Sequence, residues 1–271
     1  MRLQRPLVMG VLNITPDSFS DGGKFLSADA AVQHAENLIA EGADILDVGG
    51  ESTRPGSSPV SASDEISRVI PVIESIAARF DIPISIDTTK GEVAEAALNA
   101  GAHIINDISG LRFDERIAAI AAEYGAGLVL MHSRGNFETM HSQTPVHDII
   151  REVKESFSRA LSTSAACRVA SEQIVLDVGI GFSKTQSQNL ELLAKLDKLK
   201  AEFPDHPFLV GASRKSFLGK ILGGGGPDER LFGSLAAAAI AVWNGADIIR
   251  VHDVKETVRS LKVIEAIKDQ L

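Results

Sequence analysis

Gly42-Ala43-Asp44-Ile45-Leu46-Asp47 returns twice further along the chain, as Gly101-Ala102-His103-Ile104-Ile105-Asn106 and as Gly245-Ala246-Asp247-Ile248-Ile249-Arg250. Each copy reads as the end of a helix followed at once by a strand. Glycine takes the left-handed conformation that stops a helix, and the apolar, β-branched run behind it suits a buried, pleated strand. Gly125-Ala126-Gly127-Leu128-Val129-Leu130 is a looser fourth copy. The helix-to-strand connections are therefore short.

Outward from these copies, apolar runs at Leu7–Leu12, Asp44–Val48, Ile82–Ile86, Ala102–Ile105, Gly127–Met131, Ile174–Val178, Phe208–Ala212 and Asp247–Val251 make eight candidate strands. Between them, Ala30–Ala40, Ile66–Ala78, Val93–Ala100, Ile149–Leu161 and Leu231–Trp243 carry apolar residues at helical spacings of three and four. Ser61 with Asp64 and Asp253 with Glu256 read as capping boxes, and Pro145 and Pro227 suit first helical turns. Strand and helix alternate throughout, and near-continuous apolar strands are what a parallel sheet covered on both faces requires. Eight such units close into a (β/α)8 TIM barrel of the α/β class. The 271 residues fit a single barrel domain over 1–271, since such barrels commonly need about 250 residues, and no compositional break marks a second domain.

Bulk composition excludes several classes. A formal net charge of −9 argues against nucleic-acid binding, which needs a basic face to displace counterions. The apolar run at Leu7–Leu12 is too short for a signal peptide or a membrane span. The lone Cys167 cannot form an internal disulfide and suits a reducing cytosol, so the expectation is a cytoplasmic enzyme. Gly223–Gly226 reads as a flexible connector.

Polar residues at the C-terminal ends of barrel strands converge on one mouth. Here those ends carry Asn13, Asp47, Asp87, Asn106 with Asp107, His132, Asp177, Ser213-Arg214-Lys215, and Arg250 with His252. Any one of them could cap a helix or turn the chain, but burying so many near one axis costs free energy unless they are paired or ligand-bound. Carboxylates, a carboxamide and cations together suit a nitrogen-rich heterocycle with an anionic appendage. Arg250 and His252, next to the Ser213–Ser216 turn, occupy the region where barrels often hold phosphate. The long segments 13–27 and 49–60 are candidate lids. Gly179-Ile180-Gly181 lacks the third glycine of a dinucleotide fingerprint, and neither a phosphate-loop nor a His-Glu-x-x-His motif occurs. His34, His103, His141 and His206 read as surface or packing residues.

The chain also resembles the dihydropteroate synthase family over nearly its whole length. The resemblance is most specific in Asn13-Ile14-Thr15-Pro16-Asp17-Ser18-Phe19-Ser20-Asp21-Gly22-Gly23. Supporting segments are Gly50-Glu51-Ser52-Thr53-Arg54-Pro55-Gly56, Ile86-Asp87-Thr88, Ile105-Asn106-Asp107, Leu130-Met131-His132, Leu176-Asp177-Val178-Gly179-Ile180-Gly181-Phe182, Ser213-Arg214-Lys215-Ser216-Phe217 and Arg250-Val251-His252-Asp253. The resemblance implies condensation of 6-hydroxymethyl-7,8-dihydropterin diphosphate with 4-aminobenzoate, giving dihydropteroate and diphosphate on the route to folate. It implies a pterin site of Asp87, Asn106, Asp177 and Lys215, shaped by Met131, Phe182 and Gly211. Asn13, Arg250 and His252 would hold the diphosphate, with Mg²⁺ aided by Asn13. Phe19, Thr53, Arg54 and Pro55 would close over the amine, with Lys215 on its ring and Ser216 at its carboxylate. A homodimer is expected on the same ground, and an inhibitor that mimics 4-aminobenzoate, as a sulfonamide does, should compete at the same pocket. Two departures, Val178 and Gly91 where proline is usual, imply looser backbone near Asp177 and after the third strand. The segment Ser133-Arg134-Gly135-Asn136-Phe137 also varies from the usual form. The rival readings are a corrinoid-type pterin-binding methyltransferase domain and a noncatalytic pterin-binding paralogue. The first would lack the Asn-x-Thr-Pro-Asp-Ser-Phe loop and the second would have lost loop or anion residues, whereas both sets are intact here.

Overall fold

The computed structural model describes residues 5–14, 24–53, 56–140 and 142–270, with backbone only for 24–27. Its strands are β1 (Leu7–Asn13), β2 (Ile45–Gly49), β3 (Ile84–Asp87), β4 (Ile104–Asp107), β5 (Gly127–Met131), β6 (Ile174–Asp177), β7 (Phe208–Val210) and β8 (Ile248–Val251). They pair in parallel, each with its sequence neighbour, and β8 returns to β1 to close the barrel. The helices are α1 (Lys24–Ala40), α2 (Ala62–Ala77), α3 (Gly91–Asn99), α4 (Arg116–Tyr124), α5 (Ile149–Ala166), α6 (Gln186–Ala194), α7 (Leu196–Glu202), α8 (Ser216–Ile221), α9 (Leu231–Trp243) and α10 (Val254–Lys268). The expected (β/α)8 barrel is thus the observed architecture.

The repeat works as its residues suggest. Gly42, Gly101 and Gly245 sit at φ of 103°, 109° and 101°, a region that other residues avoid. The third residue of each copy then caps the base of a neighbouring strand. Asp44 accepts from the Val8 amide at 2.8 Å, Asp247 from Phe208 at 2.7 Å, and His103 Nδ1 from Ile84 at 3.3 Å. This explains why β2, β4 and β8 begin after Asp44, His103 and Asp247. The fourth copy differs in phase, because Gly125 has a φ of only 64° and its strand begins two residues later, at Gly127.

Helix starts divide. Ser61 caps α2 by accepting from the Asp64 amide, and Pro227 opens a short 3-10 turn at 227–230. Two expectations fail. Pro145 does not begin a helix: α5 starts at Ile149, capped by Asp148, whose carboxylate accepts from the Arg151 amide at 3.0 Å. Asp253 makes no side-chain cap either, because its carboxylate is drawn to the Arg214 guanidinium at 2.6 and 3.1 Å, a charge-assisted bond stronger than a cap.

Two apolar layers result. The larger lies between strands and helices and includes Leu12, Leu46, Ile86, Ile105, Leu130 and Leu176. The smaller plugs the barrel interior with Met9, Ile45, Val129, Leu209 and Ile248, against which Leu7, Ile104 and Val175 pack. Side chains alternate along a strand, so whatever stands two residues beyond a plug residue also points inward, one layer higher.

Candidate active site

Two residues beyond Ile45, Ile104, Val129, Val175, Leu209 and Ile248 stand Asp47, Asn106, Met131, Asp177, Gly211 and Arg250. Asp87 on β3 and Asn13 on β1 have the same parity. A mainly polar layer therefore rests on the apolar plug at the C-terminal end of the barrel, with seven of these eight positions inside paired strands that leave little backbone freedom and Gly211 just beyond β7.

The layer is bonded across the axis. Arg250 donates from Nε to Asp47 Oδ2 at 2.6 Å and from Nη2 to Asp87 Oδ2 at 2.6 Å, while Asn106 Nδ2 donates to Asp47 Oδ2 at 3.1 Å. Asp47, Asn106 and Arg250 are the sixth residues of the three strict repeat copies, so identical connections lift them to the same height. Asn13 and Asp87 both border Gly49: a Cβ there would lie 3.8 Å from Asn13 Oδ1 and 3.5 Å from Asp87 Cβ. Gly211 faces Arg250, whose Cβ would be 3.7 Å from any methyl added at that position. Asp47 Oδ1 and Asn106 Oδ1 are buried and accept no hydrogen bond from the described residues, so the floor of the cup holds acceptors without donors.

Asp177 lies on the opposite wall and accepts from the Gly179 amide at 2.8 Å. The turn after it depends on both glycines of Gly179-Ile180-Gly181. At Gly179, with φ of 66°, a Cβ would collide with the His132 carbonyl; at Gly181, with φ of 85°, it would press to 3.0 Å from Lys215 Cδ. That second gap lets the Lys215 stem pass and brings its Nζ to 4.3 Å from the Phe182 ring centroid, within cation–π range. Phe182 itself packs with Met131, Ile108 and Met140, a third small apolar cluster at the mouth. Lys184 braces the turn from behind, donating to the carbonyls of Gly179 at 2.7 Å, Phe182 at 3.0 Å and His132 at 3.3 Å.

Burial sets the protonation of this layer. It pushes the Asp87 carboxyl up to about 7, against the pull of Arg250, and the Asp177 carboxyl up to about 6, against the Gly179 amide. It also lowers the Lys215 ammonium to about 8, with Arg250 adding repulsion. Burial opposes the charge on Arg250 too, yet Asp47 and Asp87 hold its guanidinium above the ordinary value. Burial and then Arg250 depress His252 to about 3, so its ring is neutral in this state. Ser213 Oγ accepts from the His252 amide at 3.2 Å and lies 3.1 Å from Nδ1. With the hydroxyl proton turned to Nδ1, the imidazole proton sits on Nε2.

Several strand-end residues do not join the cup. Asp107 has the wrong parity, and its carboxylate closes the β4–α4 turn by accepting from Ser109 and Leu111 amides at 2.8 and 2.6 Å. His132, also of outward parity, has a fully buried ring whose nitrogens make no hydrogen bond with the described residues. Arg214 reaches away to Asp253 and to Asp228 at 2.9 Å. Ser216 is exposed at the first position of α8, next to Lys215. Thr53 is partly buried on the β2–α2 loop, while Phe19, Arg54 and Pro55 lie outside the described residues. Asp47 is the residue that reading by motif left out of the site, although its place in the repeat, matching Asn106 and Arg250, would have signalled it. The looseness expected at Gly91 is offset, because its amide, which a proline would lack, donates to Asp114 at 2.8 Å. Val178 is buried in the outer apolar layer.

Residues 9–252 match the family model described as pterin binding enzyme. Dihydropteroate synthase of Escherichia coli is 51% identical over 266 residues, covering 97% of this chain and 92% of that protein. The crystal structure of Yersinia pestis dihydropteroate synthase with a sulfonamide drug superposes with a TM-score of 0.92 at 43% identity, covering 100% and 97% of the two chains. That of Xanthomonas albilineans dihydropteroate synthase with 4-aminobenzoic acid gives 0.92 at 41% identity, covering 99% and 95%. With its polar layer intact and this likeness spanning nearly all of its length, the chain belongs to the dihydropteroate synthase family of pterin-binding enzymes.

Proposed function

We propose that the cup joins the methylene carbon of 6-hydroxymethyl-7,8-dihydropterin diphosphate to the amino nitrogen of 4-aminobenzoate. The observation that carries this reading is the buried floor of acceptors, with Asp47 Oδ1 and Asn106 Oδ1 lacking donors, faced by Asp87 and Asp177. A heterocycle rich in N–H and amino groups supplies the missing donors, and the ligands of the relatives point to the same chemistry. Asp87, Asn106, Asp177 and Lys215 would bind the pterin, with Met131, Phe182 and Gly211 forming its walls.

The reaction proceeds dissociatively in this reading. The carbon–oxygen bond to diphosphate breaks first and its electron pair leaves with the anion. The methylene, now electron-poor, accepts the amine lone pair, and the amine then sheds a proton to solvent. Charge placement does most of the catalysis. Asp87 and Asp177 would favour the delocalised cation, and Arg250 would offset the departing negative charge. His252, neutral here, would offer its Nε2 proton as a hydrogen bond instead of a full charge. Thr53, Arg54, Pro55 and Phe19 would shelter the amine, and Ser216 would hold its carboxylate.

Mg²⁺ fits the donor set only as a shared ion. Among the described residues no three His, Cys, Asp or Glu side chains form a metal cluster, whereas the Asn13 carboxamide oxygen beside Gly49 offers one hard ligand. An octahedral, oxygen-preferring cation completed by diphosphate oxygens and water suits such a site. When bound it would supply charge neutralisation at the leaving group.

The same reading keeps the protein in the cytoplasm and makes it a homodimer. The outer face of α9 exposes Phe232 (80%), Ile240 (50%) and Trp243 (47%) at helical spacing, and Val263 and Ile267 are exposed on the adjoining α10. Exposed large apolar side chains on two neighbouring helices suit a second copy of the chain, the commonest partner in closed oligomers. Sedimentation should show Phe232→Asp shifting the protein toward monomer. For the chemistry, purified protein with Mg²⁺ should form dihydropteroate, with one diphosphate released per product, only when both substrates are present. No dihydropteroate from the two substrates together refutes the assignment.

A further inference from the structure

Lys90 stands three residues beyond Asp87, in extended conformation immediately before α3. Its Nζ lies 2.5 Å from Glu65 Oε2 and 3.0 Å from Glu51 Oε2. Glu65, in the first turn of α2, has a fully buried side chain; Glu51, at the root of the β2–α2 loop, is almost as deep. The other Glu51 oxygen accepts from the Val60 amide at 2.6 Å, so one carboxylate ties both ends of the 51–60 loop to the lysine. Arg68 adds a second hold by donating to the Gly50 carbonyl at 2.8 Å, and Ser57 Oγ donates to the Ser52 carbonyl at 2.6 Å within the loop. The reaction as described above uses none of these charges.

We propose that Lys90 is a positioning residue for the amine half of the reaction: through Glu51 it fixes the root of the loop that bears Thr53 against the strand end that bears Asp87. The inference rests on the reading that this loop covers 4-aminobenzoate. Its physical basis is the directness of the linkage. A buried, charge-assisted bridge resists displacement far more than an exposed one, and Thr53 follows Glu51 by only two residues.

Glu51→Gln tests it with little risk to folding, since the Lys90–Glu65 pair survives. Because a hydrogen bond to a charged group contributes more than a neutral one, KM for 4-aminobenzoate should rise about ten-fold. Calorimetric affinity for the pterin diphosphate should stay within about two-fold, because Asp87 is held by its own strand and by Arg250, whereas Glu51 reaches the lysine and the loop. Lys90→Met should show the same split and Lys90→Arg should largely restore it. Independently of turnover, hydrogen exchange at the amides of Ser52, Thr53, Ser57, Ser58 and Val60 should quicken in Glu51→Gln while those of α3 hold. Equal losses toward both substrates, or unchanged KM and unchanged exchange, would overturn the proposal. A wild-type protein without turnover would overturn the reading of the reaction instead, and exchange would still decide whether Lys90 anchors the loop.

Discussion

Replacing Arg250 by Met should make stability depend on pH in a way the parent protein does not. The guanidinium bridges Asp47 and Asp87 at 2.6 Å each. Removing one partner of a buried ion pair commonly costs about 3–5 kcal/mol because the other is left charged without compensation. Asp87 has an escape, since its carboxyl already sits at about 7, well above the usual 3.8, and loses its main attractive partner in the variant. It then keeps its proton to still higher pH. A carboxyl raised on folding binds more protons in the folded than in the unfolded chain, so its contribution is most favourable at low pH. That contribution declines as pH rises from the unfolded value to the folded one and is level beyond it. In the parent the decline ends near 7; in the variant it continues upward, by up to about 1.4 kcal/mol for each further pH unit. Urea unfolding of both proteins near pH 6 and near pH 9 should show the deficit of Arg250→Met widening by about 2–3 kcal/mol at the alkaline end. Lys215 titrates in the same range and is relieved of the Arg250 repulsion in the variant, so the same comparison is made in a Lys215→Met background, where Asp87 is left to account for the widening. An equal deficit at the two pH values would refute the reasoning that Asp87 relieves the lost pair by protonation.

Other outcomes follow from the same cup. Asp87→Asn keeps the shape but removes the charge facing the proposed cation, so turnover in a steady-state assay should fall by about 100-fold or more; wild-type turnover would end the cation-stabilising role. With the Lys215 ammonium lowered to about 8, activity that needs it charged should decline as pH climbs through that value. Lys215→Arg should displace this alkaline limb upward, and an unmoved limb would assign it to another group. Gly179→Ala must place a side chain at φ of 66° and against the His132 carbonyl. Handedness alone costs about 1–2 kcal/mol, so a thermal midpoint matching the parent would contradict the turn geometry.

Most of the barrel is legible because strand-forming runs and glycine stops are local signals. Eight runs and a partial repeat in three copies leave little choice of architecture, and strand positions agree with the structure to within one or two residues. What could not be read one residue at a time was the destination of each polar strand end. Asp107 and His132 look as eligible as Asn106 and Met131, yet a one-residue difference in phase sends them outward. The two misread helix starts differ in origin: at Asp253 a partner distant in sequence, Arg214, outbids the local one, whereas Pro145 yields to a nearby cap, Asp148.

The sequence alone determined the alternation of elements, the places where helices stop, and a chain of motifs specific enough to name a family, because each depends on neighbours within a turn or two. Only closure of the barrel decided that the sixth residues of three repeat copies meet. The Asp47, Asn106 and Arg250 side chains, separated by as many as 203 positions, lie within hydrogen-bonding distance since parallel strands of equal phase bring equal repeat positions to one height around a common axis.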